Sequence, residues 1–265
     1  LAILPMLTIA SLTSTLILLI VVLVGKKAHL IRLSTGKELI NSAVLGFINP
    51  FLYYLILLKA YQLLPAQVAQ PLNMIWPIIL VFLSVPILRQ KIEKKSFVAL
   101  FISFIGVYII SSQGRLFKPG HSDLTGVLLA TGSSVFWSFY FILNVKDKRD
   151  EGVKLLLNFV FGSIYLVISM IITGKLQFPA GLTGIVASLY VGIFEMGITF
   201  LFWLKALRMA STTAKVSNIV YLAPFLSLIF VHYIIHEPVY YTTPVGLVFI
   251  ITGILVQTAK GTVYK

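Results

Sequence analysis

Apolar residues run along this chain in long blocks separated by short polar connections. Nine blocks stand out: Leu1–Val24, Glu38–Leu58, Ala66–Leu88, Ser96–Ser112, Leu124–Leu143, Val153–Thr173, Leu182–Leu204, Ser211–Ile235 and Val239–Gln257. Roughly 20 apolar residues are what a helix needs to cross a ~30 Å hydrocarbon layer. Backbone groups in lipid must bond internally, which leaves helices or closed barrels. Barrel strands alternate apolar and polar positions over ~10 residues. These blocks do not alternate, so the pattern predicts an all-α, polytopic transmembrane chain. The connections are too short to hold a soluble domain of any size.

Composition strengthens this reading. Of 265 residues, 58% are hydrophobic and 11% charged, with a mean hydropathy of +0.99; a soluble domain carries about 25% charged residues. The net charge of +13 does not point to nucleic acid, because the basic residues sit at the ends of apolar blocks rather than on one soluble face. One set of connections and the tail hold sixteen of the 21 Lys and Arg residues, among them Lys26, Lys27, Arg89, Lys91, Lys146, Arg149 and Arg208. The alternate connections hold Lys59, Arg115, Lys118 and Lys175. The richer set is expected to be cytoplasmic, which places the C-terminus inside a cell (inner or plasma) membrane and Leu1 outside. The sequence contains no Cys, so there is no disulfide framework, thiolate metal site or cysteine nucleophile.

A repeat runs through the chain. LGFINPFLYYLILLKA (Leu45–Ala60) aligns with VGIFEMGITFLFWLKA (Val191–Ala206), pairing Gly46 with Gly192, Asn49 with Glu195 and Tyr53 with Thr199. One residue further out of step, Pro77 pairs with Pro224, Gln90 with Glu237 and Gly106 with Gly253. Gly25-Lys26 and Gly174-Lys175 close the first and sixth blocks. The fifth block has no partner in the first half, so a further helix is expected before Leu1. The expectation is then an inverted repeat of five-helix units, four plus five helices in this sequence and five plus five in the intact protein. Its halves are residues 1–114 and 124–265, joined by an external linker at 115–123. An odd number of helices per half inverts the second half, and the basic residues require the same inversion. Inverted repeats are characteristic of secondary transporters; the alternative is a duplicated structural bundle.

KAYQLLPAQVAQPLNMIWP, followed by an apolar run, a charged turn and ALFISFIGVYII, resembles one EamA-type unit of the drug/metabolite transporter superfamily. KALRMASTTAKVSNIVYLAP, HEP and PVGLVFIITGILV resemble a second, and Trp137 to Tyr140 in ATGSSVFWSFYFIL resemble the Trp-containing opening helix of such a unit. The resemblance spans essentially the whole chain. It implies a ten-helix exporter or importer of small metabolites with a central cavity. The chain departs from the pattern where Gln90 replaces the acidic residue usual at the end of the fourth helix; Glu237 keeps it in the second half.

Polar residues at mid-membrane are expensive and face a cavity or a partner helix. Glu195 is the acidic residue nearest the middle of a block, with Thr199 one turn on; Asn49 and Tyr53 hold the equivalent places. Glu195 is a candidate to bind an amine or exchange a proton with solute, or to pair structurally with Lys215. Gln67, Gln70, Asn73 and Pro77 form one helical stripe, and Lys215, Asn218, Tyr221 and Phe225 another. Gln70, Asn73, Asn218 and Tyr221 are candidate pathway residues, with hydrogen bonding between helices as the alternative. Lys215 is a candidate for proton coupling or for snorkelling to the surface. Trp76, Trp137 and Tyr140 are candidates to pack a solute, or simply the core. His232 and His236 lack a third ligand, so no metal is expected, and no nucleotide or dinucleotide fingerprint appears. The reading expects no cofactor and no enzyme activity, a small-molecule solute and the lipid bilayer as partners, and an undetermined oligomeric state. A lipid flippase, a non-transporting membrane protein and, third, an intramembrane enzyme are the alternatives.

Overall fold

The computed structural model describes residues 3–64, 69, 72–112, 123–174, 181–223, 226, 233 and 240–258. Among them the regular elements are helices: α1 (Ile3–Val24), α2 (Gly36–Leu63), α3 (Trp76–Leu88), α4 (Lys94–Ser111), α5 (Leu124–Lys146), α6 (Glu151–Ile172), α7 (Gly181–Met209), α8 (Thr213–Ile219) and α9 (Thr242–Thr258), with one short helical turn at Ala28–Arg32 between α1 and α2. Helices α1, α2, α5, α6 and α7 are long and apolar enough to cross a membrane.

Local chemistry starts the helices. Thr35 and Glu38 form a reciprocal capping box at α2: the Thr35 hydroxyl accepts from the Glu38 N–H, and the Glu38 carboxylate accepts from the Thr35 N–H at 2.7 Å. Asp150 opens α6 by accepting from the N–H groups of Gly152 and Val153. These contacts satisfy donors that a helix start otherwise leaves bare.

The chain divides into two compact units. The first comprises residues 1–59 and 143–209, hence α1, most of α2, the end of α5, α6 and α7; the second comprises residues 60–142 and 210–265. Each unit takes helices from both sequence repeats.

In the first unit, α1 and its repeat partner α6 run antiparallel. Moving along α1, Ser11 meets Ser163 (Oγ–Oγ 2.8 Å), Val22 lies against Gly152, and Lys27 just beyond the helix bonds Asp150 at 2.6 Å. Close backbone approach fixes two further crossings. A Cβ on Gly46 would lie 2.8 Å from the Gly162 nitrogen of α6, and one on Gly192 would lie 2.5 Å from the Ala10 carbonyl of α1. Gly46 and Gly192 are repeat partners, and they let α2 touch α6 and α7 touch α1, equivalent contacts across the two repeats.

In the second unit, α4 and α9 show the same relation. Gly106 packs on Gly246 and Ile250, while Gly253 packs on Ala99 and Ser103. Adding the repeat offset to the second set of contacts returns the first, and the residue order is reversed. The two last helices of the repeats therefore cross antiparallel about a local two-fold, a self-complementary contact. Two independent pairs of equivalent helices run in opposite senses, which is the inversion the basic residues require.

Candidate functional site

Helices α2 and α7 are not regular. Residues Phe47–Leu52 of α2 and Val191–Thr199 of α7 are π-helical, at repeat-equivalent positions. In α2 the cause is Pro50, which lacks an N–H and whose ring collides with the preceding turn; Asn49 leaves helical geometry altogether at φ −153°, ψ 122°. π-helical turns frequently mark functional positions. Glu195 lies in the α7 segment. Its Oε1 accepts a hydrogen bond from the Tyr54 hydroxyl at 3.1 Å. Tyr54 is buried, whereas Glu195 and Thr199 are exposed on one face of α7.

Asn49, the repeat partner of Glu195, is fully buried, and neither its Oδ1 nor its Nδ2 has a partner. Ser14 of α1 is likewise buried without a partner, near Gly197 in the π-helical segment. Tyr53 is buried and packs edge-on against Tyr54, ring centroids 4.8 Å apart. The sequence alignment singled out Tyr53 as the partner of Thr199. The residue that reaches Glu195 is Tyr54, because the break at Asn49-Pro50 changes the rotation of everything after it. Neither Tyr54 nor Ser14 was a candidate from sequence, and no spacing rule would have found them.

In the second unit the α3 and α8 spans are interrupted at equivalent places. The chain makes a turn at Met74-Ile75 before α3, and another at Val220-Tyr221 after α8. The first block was expected to be one helix over Ala66–Leu88 and the second over Ser211–Ile235. Serines of α5 satisfy the backbone freed by the first interruption: Ser134 donates to the carbonyl of Asn73 at 2.8 Å and Ser138 to that of Trp76 at 2.9 Å. The Asn73 amide donates to Ser133 at 2.9 Å, so Asn73 bonds a neighbouring helix. Trp76 is buried and its ring lies 5.9 Å from that of Trp137, which is half-buried and packs tilted against Phe141 at 4.8 Å. Tyr140 is fully buried against Phe141. Asn218 and Tyr221 are fully buried, and Lys215, on the same helix, is exposed. Gln70 lies outside the described residues, as do Gln67, Phe225, His232, His236 and Glu237.

Gln90 has a specific contact. Its side-chain carbonyl accepts from both the N–H and the hydroxyl of Thr213, each at 3.1 Å, and so caps the start of α8. The position that departs from the family pattern thus holds a helix N-terminus, where a carboxylate would also suit the helix dipole.

A network of ion pairs and hydrogen bonds ties the ends of five helices of the first unit. Asp147 and Arg149, both nearly buried, pair at 2.6 Å; Arg149 also donates to Ser42, and Asn41 donates to Asp147. Lys154 is fully buried and donates to the carbonyls of Asn144 and Asp147. Arg208 pairs with Glu151 and Lys27 with Asp150. Burial opposes ionisation of Asp147 and of Asp150, but the hydrogen bonds from Arg149 and Lys27 outweigh it and hold both carboxyls below the usual carboxylate range. The same hydrogen bond to Asp150 holds Lys27 above the usual lysine range. Among the described residues no cluster of three or more His, Cys, Asp or Glu could hold a metal ion.

Comparison with known proteins identifies the architecture. The EamA-like transporter family matches residues 1–112 and again residues 124–258. An uncharacterized transporter of Clostridium kluyveri is 30% identical over 176 residues, 64% of this chain and 56% of that protein. The uncharacterized transporter YvbV of Bacillus subtilis is 28% identical over 254 residues, covering 94% of this chain and 80% of that one. A solved crystal structure, at 16% identity, superposes with a TM-score of 0.83 over 98% of this chain and 89% of its own, which establishes the shared fold. With both family matches laid over the two inverted sets of helices, the chain belongs to the EamA-like transporter family and is a multi-pass membrane transporter.

Proposed function

We propose that this chain is a secondary transporter that carries a small organic solute, an amino acid or an amine, by alternating access at a midplane site of its inverted repeats, residues 1–114 and 124–265. The observation that carries the reading is Glu195. It lies at the middle of a membrane-length helix, in a π-helical segment, exposed and yet hydrogen-bonded to buried Tyr54. A charged side chain facing hydrocarbon at that depth costs about 2.5–3.5 kcal/mol or more, so the reading requires Glu195 to meet a water-filled cavity rather than acyl chains. A carboxylate there attracts an ammonium group, and the Tyr54 hydroxyl that bonds it holds it in place. Glu195 also exchanges a proton with the solute, which couples transport to a pH gradient in a cell membrane with the C-terminus cytoplasmic.

The test is uptake and efflux of labelled amino acids and amines by vesicles containing the purified protein, with and without a pH gradient. Glu195→Gln is expected to fold normally and to lose the pH dependence. Tyr54→Phe is expected to keep it and to weaken apparent affinity for the cationic solute. Transport by Glu195→Gln that still follows the gradient overturns the coupling role; no transport of any such solute by the wild type overturns the function.

A further inference from the structure

The end of α8 and the turn after it carry buried polar atoms that no contact described above satisfies. Ser217, Asn218 and Tyr221 are all fully buried, and Ser217 Oγ, both amide atoms of Asn218 and the Tyr221 hydroxyl have no hydrogen-bond partner. Ser217 and Asn218 are adjacent near the end of α8, and Tyr221 lies in the turn that follows it. They sit where the helix stops at Ile219 and the chain turns at Val220-Tyr221.

Thr242 Oγ1 and Gln257 Nε2 of the same unit also lack a partner, but among the described residues three neighbouring ones do so together only here. Buried serines elsewhere in the same unit are satisfied: Ser84 donates to the Val81 carbonyl at 2.7 Å, Ser133 to Ala130 at 2.6 Å, and Ser138 to Ser134 at 2.8 Å. A helical serine readily folds back onto the carbonyl three or four residues earlier. Ser217 has that option and does not take it. A buried donor or acceptor left unmade bears its full desolvation penalty, and three neighbouring residues bear it together. A group of this kind in a native fold calls for a physical reason.

We propose that Ser217, Asn218 and Tyr221 form an uncharged hydrogen-bonding subsite, closed in this conformation, that opens to take a neutral donor–acceptor group of the solute, a hydroxyl or a carboxamide. The donor inventory selects that chemistry. Asn218 presents an acceptor in Oδ1 and a donor in Nδ2, and the two hydroxyls do either. A carboxamide or hydroxyl answers both kinds of atom. A carboxylate only accepts and leaves Oδ1 unanswered; an ammonium only donates and leaves Nδ2 unanswered. The charged residue of α8, Lys215, is exposed and does not share the subsite's burial. The solute identity rests on the transport reading, but the opening of the subsite does not.

Because the sequence contains no cysteine, Ser217→Cys introduces a single thiol into the whole chain. The experiment measures its reaction, in reconstituted vesicles, with three methanethiosulfonates of similar size: 2-hydroxyethyl (neutral), sulfonatoethyl (anionic) and trimethylammonioethyl (cationic). Rates are normalised to free cysteine, with Ser134→Cys as the buried, hydrogen-bonded control. The neutral reagent is expected to modify Ser217→Cys roughly tenfold faster than the control, and roughly tenfold faster than either charged reagent does, the ratio expected for about one hydrogen bond. A rate no higher than that of Ser134→Cys overturns the opening. Equal rates for all three reagents overturn the uncharged assignment. Should Ser217→Cys fail to give monodisperse protein, Asn218→Cys carries the same test. Labelling without any transport by the wild type removes the functional reading and leaves the subsite; transport without labelling removes the subsite alone.

Discussion

The crossing of α4 and α9 gives a sharp test of the fold. Adding a methyl group at Gly253 places a Cβ 2.6 Å from the Ala99 carbonyl oxygen and 3.0 Å from the Ser103 nitrogen, and against the Ser103 hydroxyl as well. An ordinary contact begins near 3.4 Å. Two of the three neighbours are backbone, so a side-chain rotation cannot relieve the overlap and the helices must separate. Overpacking of this kind costs roughly 1–3 kcal/mol, against a gain of about 0.5–1 kcal/mol for replacing a mid-helix glycine. Gly132, inside α5, has nothing within 4 Å of its Cβ position. Gly132→Ala therefore realises the gain without the overlap and serves as the control. Thermal unfolding of the detergent-solubilised protein, followed by size-exclusion chromatography, is expected to show Gly253→Ala less stable than wild type and Gly132→Ala equal or more stable. Gly106→Ala, whose Cβ would lie 2.5 Å from the Gly246 carbonyl, is expected to match Gly253→Ala. The double variant is expected to lose less than the two losses added together, because one separation of the helices accommodates both methyls. Gly253→Ala as stable as Gly132→Ala would refute the close crossing and the two-fold built on it.

Three other outcomes follow from named contacts. Gln90→Ala removes the cap on α8 and is expected to lower stability by about 1 kcal/mol, while Gln90→Glu is expected to retain or raise it, read by the same melting assay. The lowered carboxyls of Asp147 and Asp150 contribute stability above the ordinary carboxylate range that is lost as pH falls through their depressed folded values; raised Lys27 contributes below the ordinary lysine range, lost as pH rises through its folded value. Stability against pH is therefore expected to show a plateau across neutral pH, and Asp147→Asn is expected to shrink the fall on the acid side; an unchanged acid limb contradicts the network. Ser11→Cys with Ser163→Cys, whose hydroxyls are 2.8 Å apart, is expected to form a disulfide joining the two repeats within one compact unit and to leave transport intact. Loss of transport that a reductant restores would show that α1 and α6 must part during the cycle.

The sequence by itself determined what lipid and the chain's own chemistry dictate locally. Block length and charge placement specify membrane helices and their alternation, and the pairing of Gly46 with Gly192 and of Gly106 with Gly253 marks the repeat. Glu195 was legible because a carboxylate in a long apolar block is conspicuous. What only the tertiary structure decided is rotation and partnership. A helix in lipid is apolar on nearly every side, so hydrophobic periodicity does not say which face meets a neighbour. The break at Asn49-Pro50 turns Tyr54 rather than Tyr53 toward Glu195, and no count of intervening residues encodes that turn. The interruptions at Met74-Ile75 and Val220-Tyr221 lie inside blocks that hydropathy reads as continuous. The compact units mix the repeats because small residues such as Gly46, Gly162 and Gly192 let helices of different halves approach more closely than helices of the same half need to. That choice depends on complementary surfaces far apart in sequence, which packing selects and a linear pattern does not contain.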